Sequence, residues 1–359
     1  VISCKSVKDG APIAASAQLV NADTGKVIAS FAGAEVQFEQ AKVDPTNKLL
    51  AFTAKGDLHI WPLDAGLDAS DEAVQKRRAE QGIVLDLAPK DDWGEQEFQW
   101  THDGEFLVTW PHQFFHATPT GKVQIWRRTG ELLWTGPMIA QVSVHPMRNR
   151  ICAVYTDHVL LGWPGDEMGM QIHELTGAGD TIQFSPDGKT IALGGTGQST
   201  DGAADGEPRD LPWLWLLSAE TGAIQLSKGI TGVDSLEWRT YLSDVCWSPD
   251  GSMIGVSLGK GHAVGALSSK DGSVIWTGDF QGGRMNEIFD TSWTDTNILL
   301  TGFGATWLVD PQNPASPVRL ERLARATLLD LDGTDDVLIL NGNRIQRLNP
   351  RTGEVPWSF

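Results

Sequence analysis

The chain is short of cysteine, tyrosine and positive charge, and each shortage removes a class of protein. Only three cysteines, Cys4, Cys152 and Cys246, stand in 359 residues. An odd and sparse count does not make a disulfide framework. Each cysteine falls in an apolar run, where a small buried hydrophobe is its expected role. No CxxC and no Cys/His cluster marks a zinc site, and no CxxCH marks an attached haem. Lys and Arg number 28 against 46 Asp and Glu, a net charge of −18. Such a field repels phosphate backbones and excludes general nucleic-acid binding. No apolar run reaches the ~18 residues of a transmembrane helix, and no signal-peptide pattern is visible. Residue 1 already lies in a strand pattern, as expected of a processed or trimmed chain. Cysteine usage favours the cytoplasm, with a periplasmic or secreted location after processing as the alternative.

What is present is a repeat. Asp180–Gly195 reads DTIQFSPDGKTIALGG, two short runs of alternating or apolar residues around an Asp-Gly turn, the pattern of a β-hairpin. Asp187 and Gly188 are expected there because tight turns need residues that tolerate positive φ. The hairpin recurs as DVCWSPDGSMIGVSLG from Asp244, EFQWTHDGEFLVTW from Glu97, VDPTNKLLAFTA from Val43 and VSVHPMRNRICAVY from Val142. TSWTDTNILLTG from Thr291, TLLDLDGTDDVLILN from Thr327 and the looser VISCKSVKDGAPIAAS at the N-terminus complete eight. A third strand follows each hairpin, clearest at Leu58–Trp61, Val123–Trp126 and Trp213–Leu216. Then come a Thr-Gly or Asp-Gly turn, at residues 24–25, 129–130, 221–222, 271–272 and 352–353, and a fourth strand.

Four-stranded units at this spacing predict one all-β domain over residues 1–359: a β-propeller of four-stranded antiparallel blades, with eight blades favoured and seven the alternative. The sectors are 1–33, 34–88, 89–137, 138–176, 177–229, 230–280, 281–320 and 321–359. Their mean of roughly 45 residues is near the ~40–45 of a four-stranded blade. The first sector should hold strands near 1–6, 12–16, 18–22 and 26–31. Two insertions stand out. Residues 70–82 (SDEAVQKRRAEQG) read as a helix between third and fourth strands, with acidic residues in its first turn, basic ones later and Gly82 as its stop. Residues 198–210 (QSTDGAADGEPRD) read as a loop between second and third strands.

The SPDG hairpins resemble the WD40 superfamily. The pairs Gly130/Trp134, Gly272/Trp276 and Gly353/Trp357 resemble the docking motif of the quinoprotein-like (PQQ-like, YVTN) propellers, in which Trp follows the turn glycine by four residues. The likeness covers nearly the whole chain and identifies an architecture. There are departures: Trp61 precedes Pro62, Trp126 precedes Arg127 and Trp215 precedes Leu216, so no Trp-Asp closes a third strand. Gly261-His262 follows a second strand where WD40 blades place Gly-His before a first. Fifteen tryptophans are expected to be wedges between blades. Trp100, Trp247 and Trp293 hold one equivalent position and Trp134, Trp276 and Trp357 another.

The resemblance also implies that first-to-second and third-to-fourth turns share one face. Second-to-third and fourth-to-first loops share the other. The second set is richer in aromatics and Arg, the residue types of binding hot spots. Trp93, Phe114, Phe115, Trp238, Arg239, Tyr241 and Arg284 are therefore the candidate contacts for a protein or peptide partner, expected to be basic against this acidic chain. Catalytic chemistry has little to stand on. His112 and His116 lie four apart in strand or loop, with no third ligand near in sequence. Asp201, Asp205 and Glu207 depart from a calcium loop at Ala203, and Asp330, Asp332, Asp335 and Asp336 read as a solvated acidic turn. There is no GxSxG and no nucleophile–base–acid set. No catalytic residue, metal or cofactor is predicted. The leading function is a non-catalytic interaction scaffold or assembly subunit. The alternatives are a quinoprotein or amine-dehydrogenase-type enzyme (or its propeller subunit) and a lyase or hydrolase working at a channel mouth.

Overall fold

The computed structural model describes residues 2–4, 15–20, 26–33, 38–54, 57–63, 73, 76, 80–85, 87, 96–111, 122–138, 141–166, 169–199, 209–231, 242–258, 263–279, 288–293, 296–302, 306–319, 327–330, 337–341, 344–349, 355 and 357–358. Among these residues the regular structure is almost entirely β. It forms eight antiparallel sheets, seven of four strands and one of three.

The first sheet holds β1 (Ile2–Cys4), β2 (Ala15–Val20) and β3 (Val27–Gly33). The second holds β4 (Phe38–Val43), β5 (Leu49–Ala54), β6 (Asp57–Pro62) and β7 (Ile83–Leu85). The third holds β8 (Gln96–Trp100), β9 (Phe106–Pro111), β10 (Lys122–Arg127) and β11 (Leu132–Met138). The fourth holds β12 (Gln141–Val144), β13 (Ile151–Tyr155), β14 (His158–Gly162) and β15 (Met170–Glu174). The fifth holds β16 (Ala178–Phe184), β17 (Thr190–Ser199), β18 (Arg209–Ser218) and β19 (Ile224–Gly229). The sixth holds β20 (Leu242–Trp247), β21 (Met253–Leu258), β22 (Ala263–Ser268) and β23 (Val274–Asp279). The seventh holds β24 (Ile288–Trp293), β25 (Ile298–Gly302), β26 (Thr306–Val309) and β27 (Val318–Arg319). The eighth holds β28 (Thr327–Asp330), β29 (Val337–Asn341), β30 (Arg344–Leu348) and β31 (Trp357–Ser358). Each sheet is a meander in which strands adjacent in sequence pair.

The chain divides into two compact units. One comprises Val1–Ile139, Leu338–Leu348 and Glu354–Phe359, so it contains both chain ends; the other comprises Ala140–Val337 and Asn349–Gly353. In the second unit adjacent sheets pack face to face. Val154, Val159 and Leu161 of the fourth sheet meet Ile182, Leu193 and Trp215 of the fifth. Leu214 and Leu216 of the fifth meet Val245, Val256 and Leu267 of the sixth. Val264 and Trp276 of the sixth meet Trp293, Leu300 and Trp307 of the seventh. In the first unit the second and third sheets share a core built around Ile60, Leu85, Phe98 and Trp126. The middle strands are covered on both faces, hence the nearly unbroken burial of β13 and β14. The fourth strands β15 and β19 are largely open, and their sequences are correspondingly polar.

Four details depart from the sequence expectations or refine them. In the first sheet β2 runs unbroken from Ala15 to Val20, through the point where strands near 12–16 and 18–22 were expected, and the described residues of that sheet form three strands. A strand needs no turn at Ser16-Ala17, which carries none of the residues that force one. In the fifth sheet Gln198, Ser199, Arg209 and Asp210 belong to ten-residue strands, which shortens the expected 198–210 loop. Between β6 and β7, where a helix was expected over 70–82, four of the described residues are helical. Ala73, Lys76, Glu80 and Gln81 are α-helical, and Lys76 pairs with Glu80 one turn on at 3.9 Å. The remaining detail is the hairpin turn. Gly188 has φ +69°, whereas no aspartate among the described residues has a positive φ. Asp187 is there as an acceptor: its Oδ1 takes the Ser185 hydroxyl at 2.7 Å and the Lys189 N–H at 3.0 Å. Asp103 does the same for Thr101 and Glu105, and Asp250 for Ser248 and Ser252. In the second sheet the roles are exchanged, with Asp44 accepting from Thr46, Lys48 and Leu49 and Asn47 taking the left-handed position at φ +56°.

Candidate functional site

Two groups of residues are relevant: those that join the first strands of neighbouring sheets, and those on the connecting loops. A first strand pairs with its own second strand on one edge only. The N–H groups of its other edge are removed from water by the neighbouring sheet, so they need partners. Side chains of the preceding first strand supply them. Gln141 Oε1 accepts from Ile182 N at 2.7 Å and Ser143 Oγ from Phe184 N at 3.1 Å. One sheet further on, Gln183 Oε1 accepts from Trp247 N at 3.0 Å. At the next junction Asp244 Oδ2 accepts from Thr291 N at 2.9 Å and the Thr291 hydroxyl at 2.5 Å. Its Oδ1 takes Val245 N at 2.9 Å, and the Thr181 hydroxyl reaches it from the preceding sheet at 3.5 Å.

The equivalent tryptophans work the same seam, as their shared position predicts. Trp247 Nε1 donates to the Gln183 carbonyl at 3.1 Å and Trp293 Nε1 to the Cys246 carbonyl at 3.1 Å. In the first unit Trp100 Nε1 donates to the Lys42 carbonyl at 3.2 Å. All three indoles are buried. Trp126 is tied within its own sheet to the Thr109 hydroxyl at 3.2 Å. The polar side chains of this seam, Gln141, Ser143, Gln183 and Asp244, were not singled out from the sequence. A lone Gln or Ser in a strand carries no signal until the partner sheet is known.

Three of the Thr-Gly and Asp-Gly turns, those at Gly130, Gly222 and Gly272, dock on the preceding sheet. A Cβ on Gly130 would lie 2.6 Å from Ile83 Cγ2, one on Gly222 2.2 Å from His173 Nε2, and one on Gly272 2.9 Å from Leu226 Cδ2. All three glycines have positive φ, so this turn excludes side chains on both counts.

Reactive groups elsewhere are sequestered. Cys152 and Cys246 are buried and in no disulfide, and burial pushes the Cys152 thiol well above its ordinary range, the opposite of a nucleophile. His59 is half-buried and stacked on Phe52, with ring centroids 4.9 Å apart; desolvation lowers its pKa against the pull of Asp57. Among the described residues no three His, Cys, Asp or Glu side chains are grouped as a metal ion would require. Among the described residues no helix is long and apolar enough to cross a membrane. Exposed large apolar residues such as Leu132, Ile172, Ile224 and Val274 sit one or two to a fourth strand, which is ordinary for a folded surface.

The predicted partner residues Trp93, Phe114, Phe115, Trp238, Arg239, Tyr241 and Arg284 all lie outside the described residues. So do His112, His116, Asp201, Asp205, Glu207, Asp332, Asp335 and Asp336. The strand order fixes where the partner candidates stand in the chain. Trp93 lies between β7 and β8, and Phe114 and Phe115 between β9 and β10. Trp238, Arg239 and Tyr241 lie between β19 and β20, and Arg284 between β23 and β24. Each is thus on a second-to-third or fourth-to-first connection.

No family model and no curated protein matches the sequence. Among solved structures the chain is similar to dihydro-heme d1 dehydrogenase NirN in complex with DHE, with a TM-score of 0.65 and 13% identity over 100% of this chain and 72% of that one. Likeness at that identity is a likeness of fold. With the repeated four-stranded antiparallel sheets, it makes the architecture a β-propeller.

Proposed function

We propose that this propeller is a non-catalytic interaction scaffold that binds a protein or peptide through its second-to-third and fourth-to-first loops. The observation that carries this reading is the fate of the polar side chains on the first strands. Gln141, Ser143, Gln183 and Asp244 are all committed to bonds from one sheet to the next. A carboxylate that already accepts from two backbone N–H groups and a hydroxyl is a structural acceptor, and it is poorly placed to move protons. Chemistry spent on joining sheets leaves recognition to the loops, and those loops hold the aromatic and Arg residues named above. Large aromatics bury area at small entropic cost, and Arg supplies fork-shaped donors. The net charge of −18 favours a basic partner through faster encounter.

The test is to change Trp238 and Phe115 to Ala, singly, and to measure melting and capture of proteins from the native source. A hot spot costs ~2 kcal/mol or more of binding, roughly thirtyfold, with melting nearly unchanged. Sharply lowered melting with normal capture by the folded fraction would make these blade-end packing residues and overturn the site.

The fold likeness to a dehydrogenase favours a second reading, an enzyme or the propeller subunit of one. Titration with a tetrapyrrole, read by its visible absorption, separates the two. A saturable spectral shift at stoichiometric protein supports the enzyme; no shift supports the scaffold.

A further inference from the structure

Both turns of the fifth sheet that rest on the fourth sheet rest on a histidine. In the β16–β17 turn, a Cβ on Gly188 would lie 2.3 Å from His145 Cε1 and 2.4 Å from its Nε2. In the β18–β19 turn, a Cβ on Gly222 would lie 2.2 Å from His173 Nε2 and 2.4 Å from its Cε1. The two turns are also tied together, since Ala219 N donates to the Lys189 carbonyl at 2.9 Å. The next junction is built without histidine: Gly251 stands against Pro186 and Gly272 against Leu226 and Lys228.

The chemistry at each histidine requires the neutral ring. His145 is buried. Its Nδ1 lies 3.0 Å from Met147 N, which can only donate, so Nδ1 accepts and Nε2 carries the proton to the Gly188 carbonyl at 2.9 Å. A second proton on Nδ1 would face the Met147 N–H and abolish that bond. His173 Nε2 is buried with no hydrogen-bond partner, so a proton there would be a buried donor without an acceptor. Burial lowers the His173 pKa, and the Arg150 guanidinium lowers it further. The charged residues on the elements that meet here are Arg148, Arg150, Glu174, Asp187, Lys189 and Glu220. Glu220 is engaged by both arginines, at 3.3 Å and 3.5 Å, and Asp187 by Lys189 at 3.4 Å. Neither carboxylate is left to welcome an imidazolium.

We infer that the junction between the fourth and fifth sheets is an acid-labile seam, closed while His145 and His173 are neutral and opened by their protonation. The sign follows from linkage. A histidine kept neutral in the closed form but free to titrate when open binds more protons open, so closure weakens as pH falls through the ordinary value of 6.5. Between pH 7.5 and 5.5 the opening equilibrium therefore rises, by at most about tenfold for each histidine that stays neutral in the closed form.

The test is hydrogen exchange of the intact chain at pH 7.5 and 5.5, corrected for the intrinsic rate. Peptides covering 185–190 and 218–223 should lose protection, by up to about two orders of magnitude, while 248–253 and 268–273 of the sixth sheet hold theirs. Equal loss at both junctions would overturn the seam. A second arm uses His145→Gln with His173→Gln, followed by melting across the same range. Retention of the wild-type acid loss in that variant would also overturn it. If the variant does not fold, the exchange comparison on the native chain decides alone.

Discussion

Gly188→Ala is the sharpest test of how these sheets are seated, and its cost can be worked from the structure in two parts. The first is backbone strain. Gly188 sits at φ +69°, and an L-residue in that region costs about 1–2 kcal/mol. The second is steric. The new methyl would lie within 2.3 Å of the His145 ring, and that ring cannot easily retreat. Both its nitrogens are bonded, and the Phe184 ring lies behind it at 4.9 Å. Forcing a methyl into a filled site costs about 1–3 kcal/mol. The sum is about 2–5 kcal/mol. Gly165→Ala separates the two parts. Its φ is +95°, and nothing lies within 4 Å of where a Cβ would stand, so it should cost only the strain, about 1–2 kcal/mol. The assay is urea unfolding of both variants, followed by tryptophan fluorescence at neutral pH. Gly188→Ala should exceed Gly165→Ala by about 1 kcal/mol or more, the cost of one overpacked methyl. Equal losses would refute the close seating of this turn on His145.

Three other outcomes follow from the same geometry. Trp247→Phe should destabilise by about 1–3 kcal/mol, because it leaves the Gln183 carbonyl without its indole donor, and Trp247→Ala by about 3–5 kcal/mol; denaturant midpoints check both, and near-neutral values would mean that the indole is not a wedge. Asp271 is held at about 2 by the Ser273 hydroxyl, the Ser273 N–H and the Ser268 hydroxyl. A depressed carboxyl contributes stability above its ordinary 3.8 and loses it as pH falls through the folded value, so the melting difference between wild type and Asp271→Asn should shrink from pH 5 to pH 2. Deleting the helical insertion at 71–81 should leave melting within a few degrees of wild type, since its described residues Ala73, Lys76, Glu80 and Gln81 are exposed; a large loss would show that it packs as part of the fold.

The hairpins were legible in the sequence because Ser/Thr-x-Asp-Gly binds itself locally. The side-chain bonds that close the Ser185–Asp187–Lys189 turn on itself all span five residues or fewer, so six letters contain that closure. The role of Asp187 was misassigned all the same, since a side chain that accepts and a backbone that tolerates positive φ both favour Asp in turns. The wedge role of Trp100, Trp247 and Trp293 was legible from their equivalence. The seam residues were not. Gln183 meets Trp247 across 64 positions and Asp244 meets Thr291 across 47, and no local pattern announces a contact at that separation. His145 and His173 are similar cases: one stands in a turn and one in a strand, and only the packing of the next sheet brings a glycine against each. Trp93, Phe114, Phe115, Trp238, Arg239, Tyr241 and Arg284 follow from chemistry and chain order alone.

The central claim is that first-strand polar groups join sheets while loops do the binding, and Asp244→Asn tests it most directly. The amide keeps one oxygen but turns an N–H₂ toward a position that now accepts from Thr291 or Val245. Losing a charged acceptor there should cost about 1.5–3 kcal/mol of stability. Unfolding and partner capture would be measured on the same preparation. The account predicts a lowered denaturant midpoint with capture by the folded fraction unchanged. An unchanged midpoint together with lost capture or lost turnover would contradict it, and would make Asp244 a functional group.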